Sequence, residues 1–391
     1  MQERLGAAGA WWRDPRVRGF LAQALVLLAI GALLYVFISN ANANLVRQKI
    51  ATGFGFLDDT AGFGIIQTLI AYSEEASYGR ALLVGLLNTV LIAAIGIVAA
   101  TVLGFLVGVG RLSNNWLIAR LCTVYVETLR NLPLLLQLFF WYFGVLRALP
   151  APRQSVDLAG VAFFNNRGIF VPRIVFEEGS ALVIGTAIAG ILLTIGAVMW
   201  SRRRRVATGK PLPVLMLAGV FLIGFPALAF LATGAPFSFS MPELKGFNFV
   251  GGVQLLPEMM ALAVGLTTYT AAFIAEIVRA GILGVPRGQT EAAQALGLSR
   301  GHMLRLVVIP QALRIIVPPL TSQYLNLTKN SSLGTAIAYP DLVQVFAGTT
   351  LNQTGQAIEI IGVTMAIYLS LSLLTALAMN IYNARIKLTE R

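Results

Sequence analysis

The sequence predicts an all-α integral membrane protein with about eight transmembrane helices. Three observations carry that reading. Of 391 residues, 57% are hydrophobic and only 12% are charged, whereas soluble domains carry about 25% charged residues. Apolar runs long enough to cross a bilayer recur along the chain, separated by shorter polar segments. Lys and Arg gather in alternate segments, as they do in multi-pass proteins. The formal net charge of +12 would also suit a nucleic-acid binder. That class is excluded, because the basic residues lie between apolar spans and not on one face of a soluble domain. A single cysteine, Cys122, rules out an internal disulfide, and a single histidine, His302, leaves no His/Cys metal cluster.

Residues 1–19 are polar, with Arg4, Arg13, Arg16 and Arg18, and the apolar run 20–39 is long enough to form the first span. Ala41-Asn42-Ala43 looks like a signal cleavage site. The run before it exceeds the roughly 7–15 residues of a signal peptide, so the span is expected to stay as an anchor. A mixed loop over 40–80 contains Asp58, Asp59, Glu74 and Glu75. The second span, 81–110, is long enough to tilt. A basic turn from Arg111 to Arg120 leads to the third, 121–145, broken near its middle by Asn131-Leu132-Pro133. Residues 147–180 are polar. The fourth and fifth spans, 181–200 and 213–231, are joined by Arg202 to Arg205 and Lys210, a topology anchor or a site for anionic head groups. This hairpin has few polar residues and is expected at the periphery. The sixth, seventh and eighth spans cover 256–278, 313–338 and 358–378, and the tail is basic (Arg385, Lys387, Arg391). An even number of spans puts both termini on one side. About 19 Lys and Arg lie on that side and about 8 on the other, which predicts cytoplasmic termini and a cytoplasmic 279–314 loop.

Between the sixth and seventh spans lies a polar stretch, Glu291-Ala-Ala-Gln-Ala-Leu-Gly297-Leu-Ser299, running on to Val307-Val-Ile-Pro310. Thr290 is placed to cap a short helix, with Glu291 at the positive end of its dipole. Ala292, Ala293 and Ala295 keep the helix slim and strongly helix-prone. Gly297 can take a left-handed C-terminal turn, Ser299 can cap a second helix and Pro310 can stop it. The outcome is two short helices with a glycine elbow, a polar-ended knuckle suited to a groove on a soluble partner.

This stretch resembles the EAA motif of bacterial ABC-importer permeases: E-A-A, three residues, G, nine residues, then I-x-L-P. Glu291, Ala292, Ala293, Gly297 and Pro310 fall at that spacing, with Val307 and Ile309 where Ile and Leu are usual. Upstream, Glu127-Thr-Leu-Arg130-Asn-Leu-Pro133-Leu-Leu-Leu-Gln137 resembles the E-x-x-R-x-x-P-L-L-x-Q segment of polar-amino-acid permeases. Residues 80–147 and 256–391 match the five-span family core in outline. The added anchor and hairpin, with Gly53-Phe-Gly-Phe-Leu57 and Ala61-Gly-Phe-Gly-Ile65, are similar to the Q-type permease subunit of general L-amino-acid importers. The resemblance implies a type I ABC importer permease that moves L-amino acids across the bacterial inner membrane. The loop 287–310 would couple to an ATPase through Glu291, Ala292, Ala293, Gly297 and Pro310. The implied partners are a sister permease (a heterodimer is favoured), two ATP-binding subunits and a periplasmic amino-acid-binding protein, in a setting of membrane lipid. In these terms 1–79 is an N-terminal anchor helix and periplasmic loop. The permease domain is 80–391, with an inserted hairpin near 181–231 and a cytoplasmic coupling loop at 279–314.

The chain carries no legible catalytic apparatus and implies no cofactor. Gly209-Lys210 lacks the upstream glycine of a P-loop and is followed by Pro211, so ATP hydrolysis is expected on another subunit. Ionisable residues within spans are costly and become functional candidates. Glu127 and Arg130, three apart, can pair on one helical face; they read as a pathway wall for a zwitterion or as a structural ion pair. Pro133, without an N–H, leaves the Leu129 carbonyl without its helical donor. In the seventh span Gln323, Asn326 and Asn330 follow i, i+3, i+7 spacing, beside Lys329, Ser331 and Ser332. Such a stripe should face a cavity or another helix. Lys329 could snorkel outward or meet a substrate carboxylate. Pro318-Pro319 kink that helix, or the helix begins after them. Glu276 and Arg279 read as interfacial anchors. A competing class is an ion-gradient-driven secondary amino-acid transporter. It requires inverted repeats with paired broken helices, and no convincing repeat is present.

Overall fold

The apolar runs become helices because a backbone in hydrocarbon must satisfy its own N–H and C=O groups. A computed structural model describes residues 15–47, 52–210 and 212–386. Among these, seven helices are long and apolar enough to cross a membrane, or up to eight if a sharply bent pair counts as one span. The chain divides into two compact units. One comprises the chain to Leu91 with Tyr324–Thr335 and the part from Pro340 onward; the other comprises Ile92–Gln323 with Ala336–Tyr339.

In the first unit, α1 (Pro15–Arg47) runs past the expected end of the anchor, and α2 begins at Tyr78. Between them the 52–77 loop is pinned by backbone bonds from Ala61 to Ala76 and from Gly62 to Glu74, and Gly53 N–H donates to Glu359 at 2.8 Å. Its Phe56 is buried with Tyr78, Ala81, Leu342, Phe346 and Ile360, stacked on Phe346 at 6.1 Å. Burial of these two rings stabilises the loop. Gly85 of α2 allows the backbone at Asp341 to approach, since a Cβ there would lie 3.1 Å from the Asp341 carbonyl.

In the second unit, the C-terminal half of α2 (Tyr78–Gly110) packs on α8 (Pro257–Leu283) through Gly104 and Gly108. A Cβ at Gly104 would meet the Ile274 side chain at 2.6 Å, so the small-xxx-small pair sets this close crossing. The predicted break in the third span is present. Helix α3 (Trp116–Asn131) and α4 (Leu134–Phe139, extended by a π turn to Leu146) are bent by 108°. The cause is Pro133, and the freed carbonyls are met by Gln137, whose Nε2 donates to Leu129 O at 3.0 Å and Leu132 O at 3.1 Å.

The polar segments flanking the hairpin are not plain loops. They hold short strands, β1 (Val156–Leu158), β2 (Ala162–Asn165), β3 (Gly168–Val171), β4 (Arg173–Phe176), β5 (Phe237–Ser240), β6 (Glu243–Lys245), β7 (Asn248–Val250) and β8 (Val253–Leu255). All pairings are antiparallel, in a sheet ordered β1-β2-β3-β8 and two-stranded pairs β4-β5 and β6-β7. Strands of three or four residues offer too few alternations for a period-two pattern, which is why the sequence hides them. Pairs β3-β8 and β4-β5 close the base of the hairpin formed by α5 (Ser180–Thr208), α6 (Val214–Gly219) and α7 (Phe225–Ala232). Arg203 to Arg205 belong to the last turns of α5, not to a connecting loop, and Gly209 ends that helix in the left-handed conformation. Pro211, Arg4, Arg13, Lys387 and Arg391 lie outside the described residues.

Candidate functional site

The segment after α8 forms the expected elbow with corrected boundaries. Helix α9 runs Arg287–Ala295, so Thr290 is not its cap and Glu291 is not in its first turn. Pro286 fixes the entry, with φ −56° and no N–H to satisfy, and the helix starts directly after it. Thr290 instead donates its hydroxyl to Arg287 O at 2.6 Å. The C-terminus is a complete Schellman turn: Leu298 N–H to Ala293 O at 3.2 Å and Gly297 N–H to Gln294 O at 2.8 Å, with Gly297 at φ +73°. Ser299 is the extended residue that opens α10 (Arg300–Met303), but its hydroxyl bonds His302 Nδ1 at 2.8 Å and caps no backbone group.

Pro310 does not stop the second arm. A π turn, Leu304–Val308, lets Ile309 N–H bond Leu304 O, and α11 (Ile309–Asn330) continues through Pro310, Pro318 and Pro319. The wide turn relieves the clash a proline ring makes with the carbonyl four residues back. One span therefore extends over Arg300–Ile337. Gln311 Nε2 donates to Gln289 Oε1 at 3.3 Å, tying the two arms. Glu291, Ala292 and Gly297 are exposed and Ala293 is buried. Leu296 is 81% exposed at the tip, a feature the motif did not flag. Its signal was an apolar residue next to a turn glycine in a polar segment.

On α11, Asn326 and Lys329 are exposed and Gln323 and Asn330 half-buried. Lys329 lines a cavity of about 380 Å³ with Ser332, Thr364, Met365, Tyr368 and Ser372. Behind Tyr368 lies Asp341, fully buried, which the sequence reading passed over. Asp341 Oδ1 accepts from Gln344 N–H at 2.8 Å, while Oδ2 lacks a well-aligned partner. The Tyr368 hydroxyl sits beside Asp341, Ser331 and Thr89. Burial pushes the Asp341 carboxyl up to about 7, against the pull of nearby backbone donors.

Glu127 and Arg130 do not pair. Glu127 is exposed, and Arg130 sits over the Phe273 ring at 5.2 Å with Nη1 3.8 Å from Glu276 Oε2. Packing of α3 on α8 offers Arg130 a carboxylate and an aromatic face together, which a neighbour on its own helix cannot match. Glu276 and Arg279, expected as interfacial anchors, bond each other at 2.6 Å, and Arg111 bonds the same carboxylate.

The family model for "Binding-protein-dependent transport system inner membrane component" matches residues 100–388. The chain is similar to the putative amino-acid ABC transporter permease protein YhdX of Escherichia coli, 51% identical over 378 residues, 97% of this chain and 96% of that protein. It is likewise similar to the general L-amino acid transport system permease protein AapQ of Rhizobium johnstonii, 52% identical over 97% of this chain and 94% of that protein. Among solved structures, the crystal structure of an amino acid ABC transporter with histidines covers 79% of this chain and 95% of its own, at TM-score 0.47 and 19% identity. The matched region takes in the elbow, the polar stripe and the broken span, and the protein belongs to the family of binding-protein-dependent transport system inner membrane components.

Proposed function

We propose that this chain is the transmembrane permease subunit of an ATP-driven importer of L-amino acids in the bacterial inner membrane. The observation that carries the reading is the exposed elbow at Gly297, set between α8 and the long span Arg300–Ile337. A rigid, polar-ended helical tip on such a span can pass a push from a soluble ATPase into the membrane. ATP hydrolysis then belongs to two separate subunits, and substrate delivery to a periplasmic binding protein. The membrane part pairs with a sister permease, as a heterodimer. Glu291, Ala292, Ala293, Gly297 and Pro310 form the coupling segment, and the excess of Lys and Arg on that side supports cytoplasmic termini. Asn326, Lys329 and Asn330, with Gln323 one turn earlier, mark the substrate pathway; the Lys329 ammonium is suited to a substrate carboxylate. The engagement of Arg130 with Glu276 supports a packing role for Arg130 rather than a pathway pair with Glu127.

Reconstitution tests this directly. The complex in proteoliposomes should take up a radiolabelled L-amino acid only with binding protein and ATP, and without sensitivity to ionophores. Uptake that persists without nucleotide and collapses with an ionophore would place the protein among gradient-driven transporters and overturn the proposal.

A further inference from the structure

The ribbon that closes the hairpin has two unlike faces. Strands β4 and β5 pair Ile174 with Phe239 and Phe176 with Phe237, and in alternate positions Arg173 with Ser240 and Val175 with Ser238. Directly opposed residues share a face, and every second residue along a strand returns to it. Ile174, Phe176, Phe237 and Phe239 therefore make one face, and Arg173, Val175, Ser238 and Ser240 the other. The polar face turns toward the neighbouring strands, since Ser240 Oγ accepts from Gly252 N–H at 3.3 Å. The apolar face turns away from them, with Ile174 49%, Phe176 62% and Phe239 62% exposed. Three large apolar side chains bared together on so short a ribbon form a patch, not the scattered singles of an ordinary surface.

Continuity and reach identify what covers this patch. Phe237 stacks on Phe230 of α7 at 6.2 Å and meets Phe176 edge-on at 5.8 Å, so the patch runs on from the side of a helix. That helix ends the apolar span Val214–Ala232, which is almost wholly unburied, and its Leu228 and Leu231 are exposed beside Phe230. Lipid that wets α7 therefore meets the ribbon next. Glu177 N–H donates to Pro236 O at 3.0 Å, which closes the ladder directly onto the helix ends. Ile174 and Phe239 lie two residues beyond Phe176 and Phe237, about 7 Å further out. A head-group layer is about 5–8 Å deep, so the whole patch stays within it. The exposed carboxylates of Glu177 and Glu178, at the joint with α5, belong at the same level. We propose that the β4–β5 ribbon is a lipid-binding anchor, its Ile174–Phe176–Phe239 face resting on the acyl-chain boundary and Arg173 turned to water. Helix α8 leads from this side to the elbow, so the leaflet is the one opposite the elbow. The contact fixes the depth of a hairpin with little protein packed around it, whichever substrate is transported.

The test uses the full chain, co-purified with its partner subunits, in vesicles of phosphatidylethanolamine and phosphatidylglycerol. With Cys122 replaced by Ser, single nitroxide labels are placed through Ile174→Cys and Phe239→Cys on the apolar face, and through Arg173→Cys and Val175→Cys on the other. Collisions with oxygen, which concentrates in lipid, and with a nickel chelate confined to water are read by electron paramagnetic resonance. Labels at 174 and 239 should meet oxygen freely and nickel about threefold less often than those at 173 and 175. Position 174 decides alone if the Phe239 variant does not fold. A further label, through Leu231→Cys at the end of α7, reports the depth of the hairpin. Phe176→Ser with Phe239→Ser should raise its nickel collisions about twofold. Equal nickel access at all four ribbon sites would mean that the ribbon stands in water, and overturns the proposal. Shielding of 174 and 239 from both reagents overturns it in favour of protein cover, by the sister permease or the binding protein. A Leu231 label that does not move in the double variant overturns the anchoring role.

Discussion

At the scale of single residues, Asp341 makes the sharpest prediction. Its folded carboxyl titrates at about 7, above the ordinary 3.8, because burial disfavours the charged form. The folded state therefore keeps a proton that the unfolded state has lost. The contribution of this group to stability is greatest below pH ~4, declines as pH rises toward 7, and is level beyond that. Asp341→Asn keeps the shape without the charge. Its stability should lack this pH-dependent component, and relative to the variant the wild type should lose about 4 kcal/mol between pH 4 and pH 8. Parallel, pH-dependent melting curves for the two proteins would remove Asp341 as the titrating group. The proposed pathway residues make a second prediction at this scale. Asn326→Leu removes an exposed polar group from α11 without disturbing a buried contact, so assembly should persist while uptake falls. Normal uptake by this variant and by Lys329→Met would make the stripe structural.

At the scale of elements, the elbow is held by two backbone bonds and the freed carbonyls of the broken span by the Gln137 side chain. No atom crowds the place a Cβ would occupy at Gly297, so a substitution there is penalised by its positive φ alone. Gly297→Val should cost about 1–2 kcal/mol locally and still reach normal abundance, while substrate-stimulated ATPase activity is lost. Gly297→Asn, which tolerates the left-handed region, should recover much of that activity. If Val and Asn behave alike, the turn geometry is not what couples. In the broken span, Gln137→Leu strips the side-chain donor from the Leu129 and Leu132 carbonyls. A loss of about 1–3 kcal/mol is expected, read as a lower melting temperature of the assembled complex. An unchanged melting temperature would mean that the bend is held by helix packing and not by this side chain.

At the scale of the whole molecule, the topology is open to a direct check. With Cys122 first replaced by Ser, cysteines introduced at Arg203 and Gly301 should resist an impermeant reagent in intact cells, and those at Asp58 and Glu177 should react. Outside labelling at position 203 would invert the hairpin and break the eight-span arrangement. The apolar spans were legible because a membrane span is a local decision: about 20 apolar residues satisfy both the hydrocarbon and their own backbone, whatever surrounds them. The elbow was legible for the same reason. A glycine two residues past Ala295, at the end of an alanine-rich helix, needs no distant partner to form a Schellman turn, although the helix start moved to just after Pro286 because a proline outweighs a threonine cap. Other features required the folded chain. Strand β3 pairs with β8 across the entire hairpin, and three or four residues carry too little periodicity to announce such a partner. Arg130 had Glu127 one turn away, yet its carboxylate is Glu276 on another helix, since helix packing and not spacing selects among possible partners. Asp341 gave no local sign of burial; Tyr368 and Thr89, far off in sequence, enclose it. The sequence by itself thus determined the spans, the break at Pro133 and the glycine elbow, all governed by short-range free energies. The tertiary structure alone decided which charges meet, which acid is buried and how the hairpin is closed, because those depend on contacts between segments far apart in the chain.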